Sequence, residues 1–405
     1  MKWDIPGRLL LWNFPRPIYL LLLLFLFGTG CKTDIPKTPL PPTPTSVVPA
    51  TPVPTALMGN EPVQPLFNSP AYGIHTFLWW KPDIAQRDLG LVRDMGFGWV
   101  KQKFPWREIE GIEKGAFDWY RTDLIVQMVE QSGLQMVVRL DQNPLWAVAS
   151  LPSDRIGENQ PPANYQDFGD YCYAVAERYH GRIAAYQVWN EPNLSREWGN
   201  QPPDPAAYTE LLRVCYEGIK TADPGAIVIS AGLAPTGTPL PVAMPDTEFL
   251  QGMYAAGAGA YFDVLGIHAP GYKAPPEMSP DEVATSSEFG NGRWFAFRHV
   301  EDMRAIMVAN GDGYKQVAIL EMGWTLDQVN EGYTWYAVDE ATQADYLVRA
   351  YRFAKENWQP WIGLMTTVYI ADYEWTQADE QWWWSVVLPD GTPRPAYYAL
   401  RDMEK

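Results

Sequence analysis

From about Leu66 onward the chain alternates between two hydrophobic patterns. Short, nearly continuous apolar runs give way to longer stretches in which apolar residues recur every three or four positions. The runs predict strands at Tyr72–Phe77, Gly98–Phe104, Gln135–Leu140, Ile183–Asn190, Ala226–Ala231, Phe262–His268, Gln316–Glu321 and Ile362–Ile370. The stretches predict helices at Ile84–Met95, Trp119–Gln131, Ala163–Tyr179, Pro205–Thr221, Thr247–Ala256, His299–Asn310, Glu340–Trp358 and Pro395–Met403. Ile125, Met128 and Val129 share one helix face, and Leu211, Val214, Cys215 and Ile219 share another. Pro205 suits the first turn of its helix, and Asp223-Pro224-Gly225 stops it. Runs such as Ala226–Ile229 and Val317–Leu320 lack polar alternation, as parallel strands covered on both faces do.

Eight strand–helix units in this order predict an α/β protein, a single (β/α)8 barrel over residues 66–405. Loop lengths agree. Helix-to-strand turns are short (Gly96-Phe97, Ser132–Leu134, His180–Arg182), whereas the segments Asp141–Pro162, Gly232–Asp246, Ala269–Arg298 and Ala371–Arg394, which follow strands, are long. A barrel enzyme elaborates the loops at the C-terminal ends of its strands, where its chemistry sits. A dinucleotide-binding sheet would also alternate strand and helix, but no glycine-rich phosphate loop follows the first strand.

Upstream the pattern changes. Lys2, Arg8 and Arg16 precede the apolar run Ile18–Phe27, which is shorter than the roughly 18–20 residues of a membrane span. Residues 1–31 therefore read as an export signal. It ends in Gly28-Thr29-Gly30-Cys31, which resembles a bacterial lipoprotein signal, although Gly28 stands where leucine is usual. The resemblance implies cleavage before Cys31, lipid attachment there, and a protein outside the cytoplasm, held at the membrane by its N-terminus or otherwise secreted. Residues 32–65 are rich in proline and threonine and predict an extended tether rather than a packed core.

Composition narrows the partners. The chain carries 19 Trp, 22 Tyr and 15 Phe, and aromatic faces make platforms for the apolar C–H face of a sugar ring. Its formal net charge of −17 argues against nucleic acid and against an anionic membrane surface. The four histidines are scattered and no Cys/His spacing suits a metal, so neither metal nor organic cofactor is expected. Cys172 and Cys215 fall inside consecutive predicted helices; a bridge is open to an exported protein, but the reading favours buried free thiols.

The chemistry lies at the strand ends. The fourth strand closes in Ala185–Asn193 (AYQVWNEPN), delivering Asn190 and Glu191 to the rim before a proline. The seventh (VAILEMGW) delivers Glu321, followed by Trp324. Around the same ring stand His75 with Trp79-Trp80, then Lys101, Lys103 and Trp106, then Asp141 and Asn143. His268 and Tyr272 follow the sixth strand, and Tyr369, Tyr373 and Trp375 the eighth. Trp146, Trp198 and one of Trp382–Trp384 are further cleft candidates. Two carboxyl groups among amides, an imidazole and aromatic rings suit a neutral sugar. Glycosidic cleavage needs one acid for the leaving oxygen and one carboxylate for the anomeric carbon or a water. Asn190, beside Glu191, is placed to hydrogen-bond a sugar 2-hydroxyl.

Asn-Glu-Pro ending the fourth strand, a second glutamate ending the seventh, and the tail Ser385–Arg401 (SVVLPDGTPRPAYYALR) together resemble the clan A glycoside hydrolases, families 5, 39 and 42 among them. The resemblance implies a retaining mechanism with Glu191 as acid/base and Glu321 as nucleophile, acting on O-glycosidic bonds of a β-linked glycan or glycoside. Asn190, His268, Tyr272, Trp324, Trp375, Asp141 and Trp80 would then bind substrate. Lys101 and Lys103 stand where family 5 usually has arginine, and Asp141 where it commonly has histidine. His268-Ala269-Pro270-Gly271-Tyr272 replaces that family's His-x-Tyr. Assignment among the families stays open. So do a non-catalytic surface glycan-binding lipoprotein and a transglycosylase using the same residues.

Overall fold

A computed structural model describes residues 62–148 and 159–405. Cys31, the expected signal over residues 1–31 and most of the expected tether over residues 32–65 lie outside the described residues, as do residues 149–158. Eight strands form one parallel sheet: β1 (Ala71–His75), β2 (Trp99–Pro105), β3 (Gln135–Asp141), β4 (Ala185–Val188), β5 (Ile227–Ile229), β6 (Leu265–Pro270), β7 (Val317–Gly323) and β8 (Ile362–Thr367). Their order is β5-β4-β3-β2-β1-β8-β7-β6. The two ends meet through the bridges Ile229–Val264 and Leu233–Ile267, so the sheet curls into a barrel. A helix follows each strand: α1 (Pro82–Asp94), α2 (Tyr120–Gln131), α3 (Tyr165–Arg178), α4 (Pro205–Ala222), α5 (Asp246–Ala255), α6 (Val300–Ala309), α7 (Glu340–Asn357) and α8 (Pro395–Asp402). The predicted (β/α)8 architecture is the observed one, with element ends shifted by a few residues.

Local chemistry explains the helix starts. Asp204 caps α4 by accepting from the amides of Ala206 and Ala207, with Pro205 in the first turn. Asn164 caps α3 and Asp339 caps α7 in the same way. Strand alternation sorts side chains into two cores. On β3, Met136, Val138 and Leu140 join the layer between sheet and helices, while Val137 joins a smaller cluster inside the barrel with Ala185, Ile229, Val264 and Leu364. Phe67 belongs to that inner cluster and meets Trp99 edge-on at 5.0 Å. The amides of Leu66 and Phe67 both donate to Gln316 Oε1 at 2.9 Å, fixing the chain beneath the barrel.

Two breaks in the alternation aim the functional strands. On β7, Ala318 and Leu320 point inward and Ile319 outward. Strict alternation would send Glu321 out among the helices. A register shift opposite Ile267/His268 inserts a bulge instead, so Glu321 follows Leu320 to the inside and Met322 faces out. On β4 the strand ends at Val188, and Trp189 and Glu191 adopt positive φ of 72° and 40°. Trp189 thereby stays in the helix layer, and Asn190 and Glu191 both reach the barrel mouth.

Cys172 on α3 and Cys215 on α4 form a disulfide, with Cα atoms 5.3 Å apart. This corrects the expectation of free thiols. Helical period alone places both cysteines on buried faces, but the helices pack closely enough for those faces to touch. The bridge closes 43 residues of chain, including β4 and Glu191. Replacing both cysteines by serine should lower unfolding stability by about 2–4 kcal/mol, read as a lower midpoint in urea; an unchanged midpoint would show that the bridge constrains nothing.

Candidate active site

The C-terminal ends of the strands open into a cavity of about 700 Å³. His75, Lys103, Arg139, Asn190, Glu191, Arg196, Glu197, Tyr272, Glu321, Trp375, Glu380 and Trp384 are among its walls. Glu321 stands at its base inside a ring of nitrogen atoms. Lys101 Nζ donates to Glu321 Oε1 at 2.8 Å and to the Leu320 carbonyl at 3.2 Å. Arg139 Nη1 lies 3.7 Å and His75 Nδ1 3.6 Å from the same oxygen. Burial alone would raise the Glu321 carboxyl, but Lys101 above all, with His268 and Arg139, holds it well below the usual carboxylate range. Its charge is fixed. Lys101 is correspondingly pushed down by burial to about 8, against the pull of Glu321.

Glu191 faces a different set. His268 Nδ1 donates to Oε1 at 2.9 Å, and Arg196 Nη2 donates to Oε2 at 3.2 Å. Burial raises this carboxyl too, yet His268 and Arg196 bring it below its ordinary value, while the charge of Glu321 opposes them. The same His268 nitrogen lies 3.9 Å from Glu321 Oε2, so it bridges the two acids. Gly232 makes this possible: a Cβ there would lie 2.2 Å from the His268 ring.

Arg139 organises the space between. Its Nη1 donates to Asn190 Oδ1 at 3.0 Å, and its Nε pairs with the buried Asp141 at 2.9 Å. Asp141, predicted as a substrate contact, is fully buried behind Arg139 and does not line the cavity; it anchors a residue that does. Tyr272 donates its hydroxyl to the Pro235 carbonyl at 3.0 Å and lines the wall. Trp375 also lines it, edge-on to Phe77 at 4.6 Å.

Two tryptophans depart from expectation. Trp324 is 0% exposed. It packs on Gly271, where a Cβ would fall 1.8 Å from its ring, and donates to the Ala274 carbonyl at 3.1 Å. It belongs to the core because the β7 bulge turns the following residues away from the mouth. Trp80 is 47% exposed, but its ring carries the Arg121 guanidinium at 4.3 Å and is not part of the cavity. Trp106, Trp146 and Trp198 likewise pack in the helix layer. Of the tryptophan triplet, Trp384 reaches the cavity.

Arg139, Arg196, Glu197 and Glu380 were not foreseen. Arg139 had a signal, a lone cation inside the apolar run Met136–Leu140 on the inward register of Val137. The other three lie in short helical turns within the loops after β4 and β8, too short for a period to show. Among the described residues no group of His, Cys, Asp and Glu is placed to hold a metal ion.

Comparison with solved structures shows what the architecture is like. A family 39 glycoside hydrolase from Bacteroides cellulosilyticus WH2 superposes with a TM-score of 0.59 at 19% identity, covering 84% of this chain and 64% of that one. This chain shares its (β/α)8 barrel fold. A GH5_18 protein from Streptomyces cattleya, solved with GlcNAc, gives 0.59 at 13% identity, covering 83% and 80%. A glucosidase from Croceicoccus marinus gives 0.59 at 11%, covering 84% and 68%. No protein-family model matches the chain, and no curated protein matches it. The chain spans under two thirds of the family 39 enzyme's length.

Lys101→Met removes the cation bound to Glu321. The Glu321 carboxyl should then titrate at higher pH, followed by carbon-13 NMR of labelled glutamate, with Lys101→Arg close to wild type. An unmoved titration in Lys101→Met would mean that Lys101 does not set the charge on Glu321.

Proposed function

We propose that the chain is a retaining glycosidase that hydrolyses O-glycosidic bonds of a β-linked glycan or glycoside, exported and tethered to the membrane through Cys31. The observation that carries this reading is the unequal pairing of two carboxyl groups in one cavity. Glu321 is locked as an anion by Lys101 at 2.8 Å, whereas Glu191 is held by His268 and by the 67%-exposed Arg196. Glu321 suits a nucleophile that must stay charged, and Glu191 a group that must change protonation. Because one His268 nitrogen sits 2.9 Å and 3.9 Å from oxygens of the two acids, those oxygens lie within about 7 Å of each other. That bound favours the short spacing of a retaining enzyme, about 5–5.5 Å, over most of the inverting range.

In the first step Glu321 attacks the anomeric carbon and Glu191 protonates the departing oxygen. A leaving group seated at Glu191 takes the place of Arg196 at Oε2 and removes a contact that favours the charged form. Forming the ester cancels the charge on Glu321, which had been raising the Glu191 carboxyl. Glu191 is then better suited as the base that draws a proton from water, and the ester is hydrolysed with net retention. Asn190, its Oδ1 turned to Arg139, is left with its amide N–H groups for the sugar 2-hydroxyl. The Cys172–Cys215 bridge suits an oxidising compartment outside the cytoplasm.

Glu321→Gly should lose turnover of aryl β-glycosides by several orders of magnitude. Added azide should restore it, releasing a glycosyl azide of inverted configuration, identified by NMR. An azide product of retained configuration would exchange the roles of Glu321 and Glu191.

A further inference from the structure

Glu380 lines the same cavity as Glu191 and Glu321, and neither chemical step uses it. It opens a short helix, Glu380–Trp384, on the loop after β8. With strands in the order given above, β8 lies half-way round the barrel from β4, so Glu380 belongs to the wall across from the base of Glu191. Its Oε2 accepts from Trp384 Nε1 at 2.8 Å, and Tyr333 from the loop after β7 stands near it. Trp384 is buried and packs with Tyr336 and Val368. The carboxyl is thus held in one orientation by the anchored Trp384 while remaining part of the cavity surface.

We propose that Glu380 is a substrate-contacting residue that accepts hydrogen bonds from hydroxyl groups of the bound sugar, and so fixes the substrate as one with free ring hydroxyls at that wall. This rests on the glycosidase reading and deepens it. A carboxylate offers about four acceptor positions, and Trp384 occupies one of them. The remaining positions can take two vicinal hydroxyls, and the Trp384 and Trp375 rings supply apolar surface in the same cavity. A hydrophobic wall alone would bind deoxy and hydroxylated rings nearly equally; a half-buried acceptor, desolvated when the ring is seated, discriminates between them.

The charge state of Glu380 follows from what faces it. Burial, then the charges of Glu321 and Glu191, push its carboxyl up to about 7, against Trp384 and Arg196. Tyr333, Tyr336 and Tyr369 complete the groups around it. Hydroxyls bond more strongly to the carboxylate than to the neutral acid. Sugar binding therefore tightens as pH rises through neutrality.

The test is steady-state hydrolysis of a panel of 4-nitrophenyl β-glycosides between pH 5.5 and 8.5 by wild type and Glu380→Gln, an isosteric change that keeps an oxygen for Trp384. Wild-type KM should fall as pH rises through about 7. The variant should have a flat KM, raised about tenfold at pH 8 and less at pH 5.5, with kcat within about threefold. A variant that keeps the wild-type pH dependence of KM, or loses kcat at unchanged KM, overturns the assignment while leaving the glycosidase reading intact. Absence of wild-type turnover across the panel would instead defeat the glycosidase reading. In that event calorimetric titration with the free sugars decides the role of Glu380: Kd must fall with rising pH in wild type and not in Glu380→Gln.

Discussion

The site depends on one buried charge. Glu321 sits at the base of the cavity, where a carboxylate without partners would take up a proton, and Lys101, 2.8 Å away on β2, prevents it. Lys101 in turn has a fully buried side chain and lies at that depth only because Glu321 and the Leu320 carbonyl accept its hydrogen bonds. Arg139 and His75 flank the pair, and Asp141 neutralises Arg139 from behind. Burial pushes His75 well below its ordinary value, with Lys101 adding to the effect, so it contributes a neutral ring. The barrel mouth is a small electrostatic assembly in which each buried cation has a named anion.

The backbone is bent to serve that assembly. A regular β7 would carry Glu321 into the helix layer, and a regular β4 would carry Asn190 there. The β7 bulge and the left-handed residues Trp189 and Glu191 send the three side chains into the cavity. Such backbone costs about 1–3 kcal/mol at each left-handed residue. The fused layer of Trp189, Phe168 and Trp198 behind β4, and the disulfide joining α3 to α4, hold it in place.

The fold was legible because its signals are local. Eight apolar runs and eight periodic stretches suffice to place eight strands and eight helices, and Asn-Glu-Pro marks the end of β4 without any knowledge of packing. The acids Glu191 and Glu321, with Asn190, His268, Tyr272 and Trp375, line one cavity. What the sequence hid is side-chain direction after a break in alternation. Trp324 reads as a cleft residue when counted from Glu321, but past the bulge it packs against Gly271 in the core. Trp80 follows β1, yet its ring turns to Arg121. Asp141 sits on the inward register, but Arg139 comes between it and the cavity. Glu380 and Arg196 come from helical turns too short to show a period, and the contact between Cys172 and Cys215 depends on how closely two helices pack.

The most direct test is the configuration of the first-formed product. Proton NMR of wild-type hydrolysis of a β-glycoside, recorded before mutarotation, should show the β-anomer appearing first. Initial release of the α-anomer would contradict the assignment of Glu321 as nucleophile and of Glu191 as its acid/base partner.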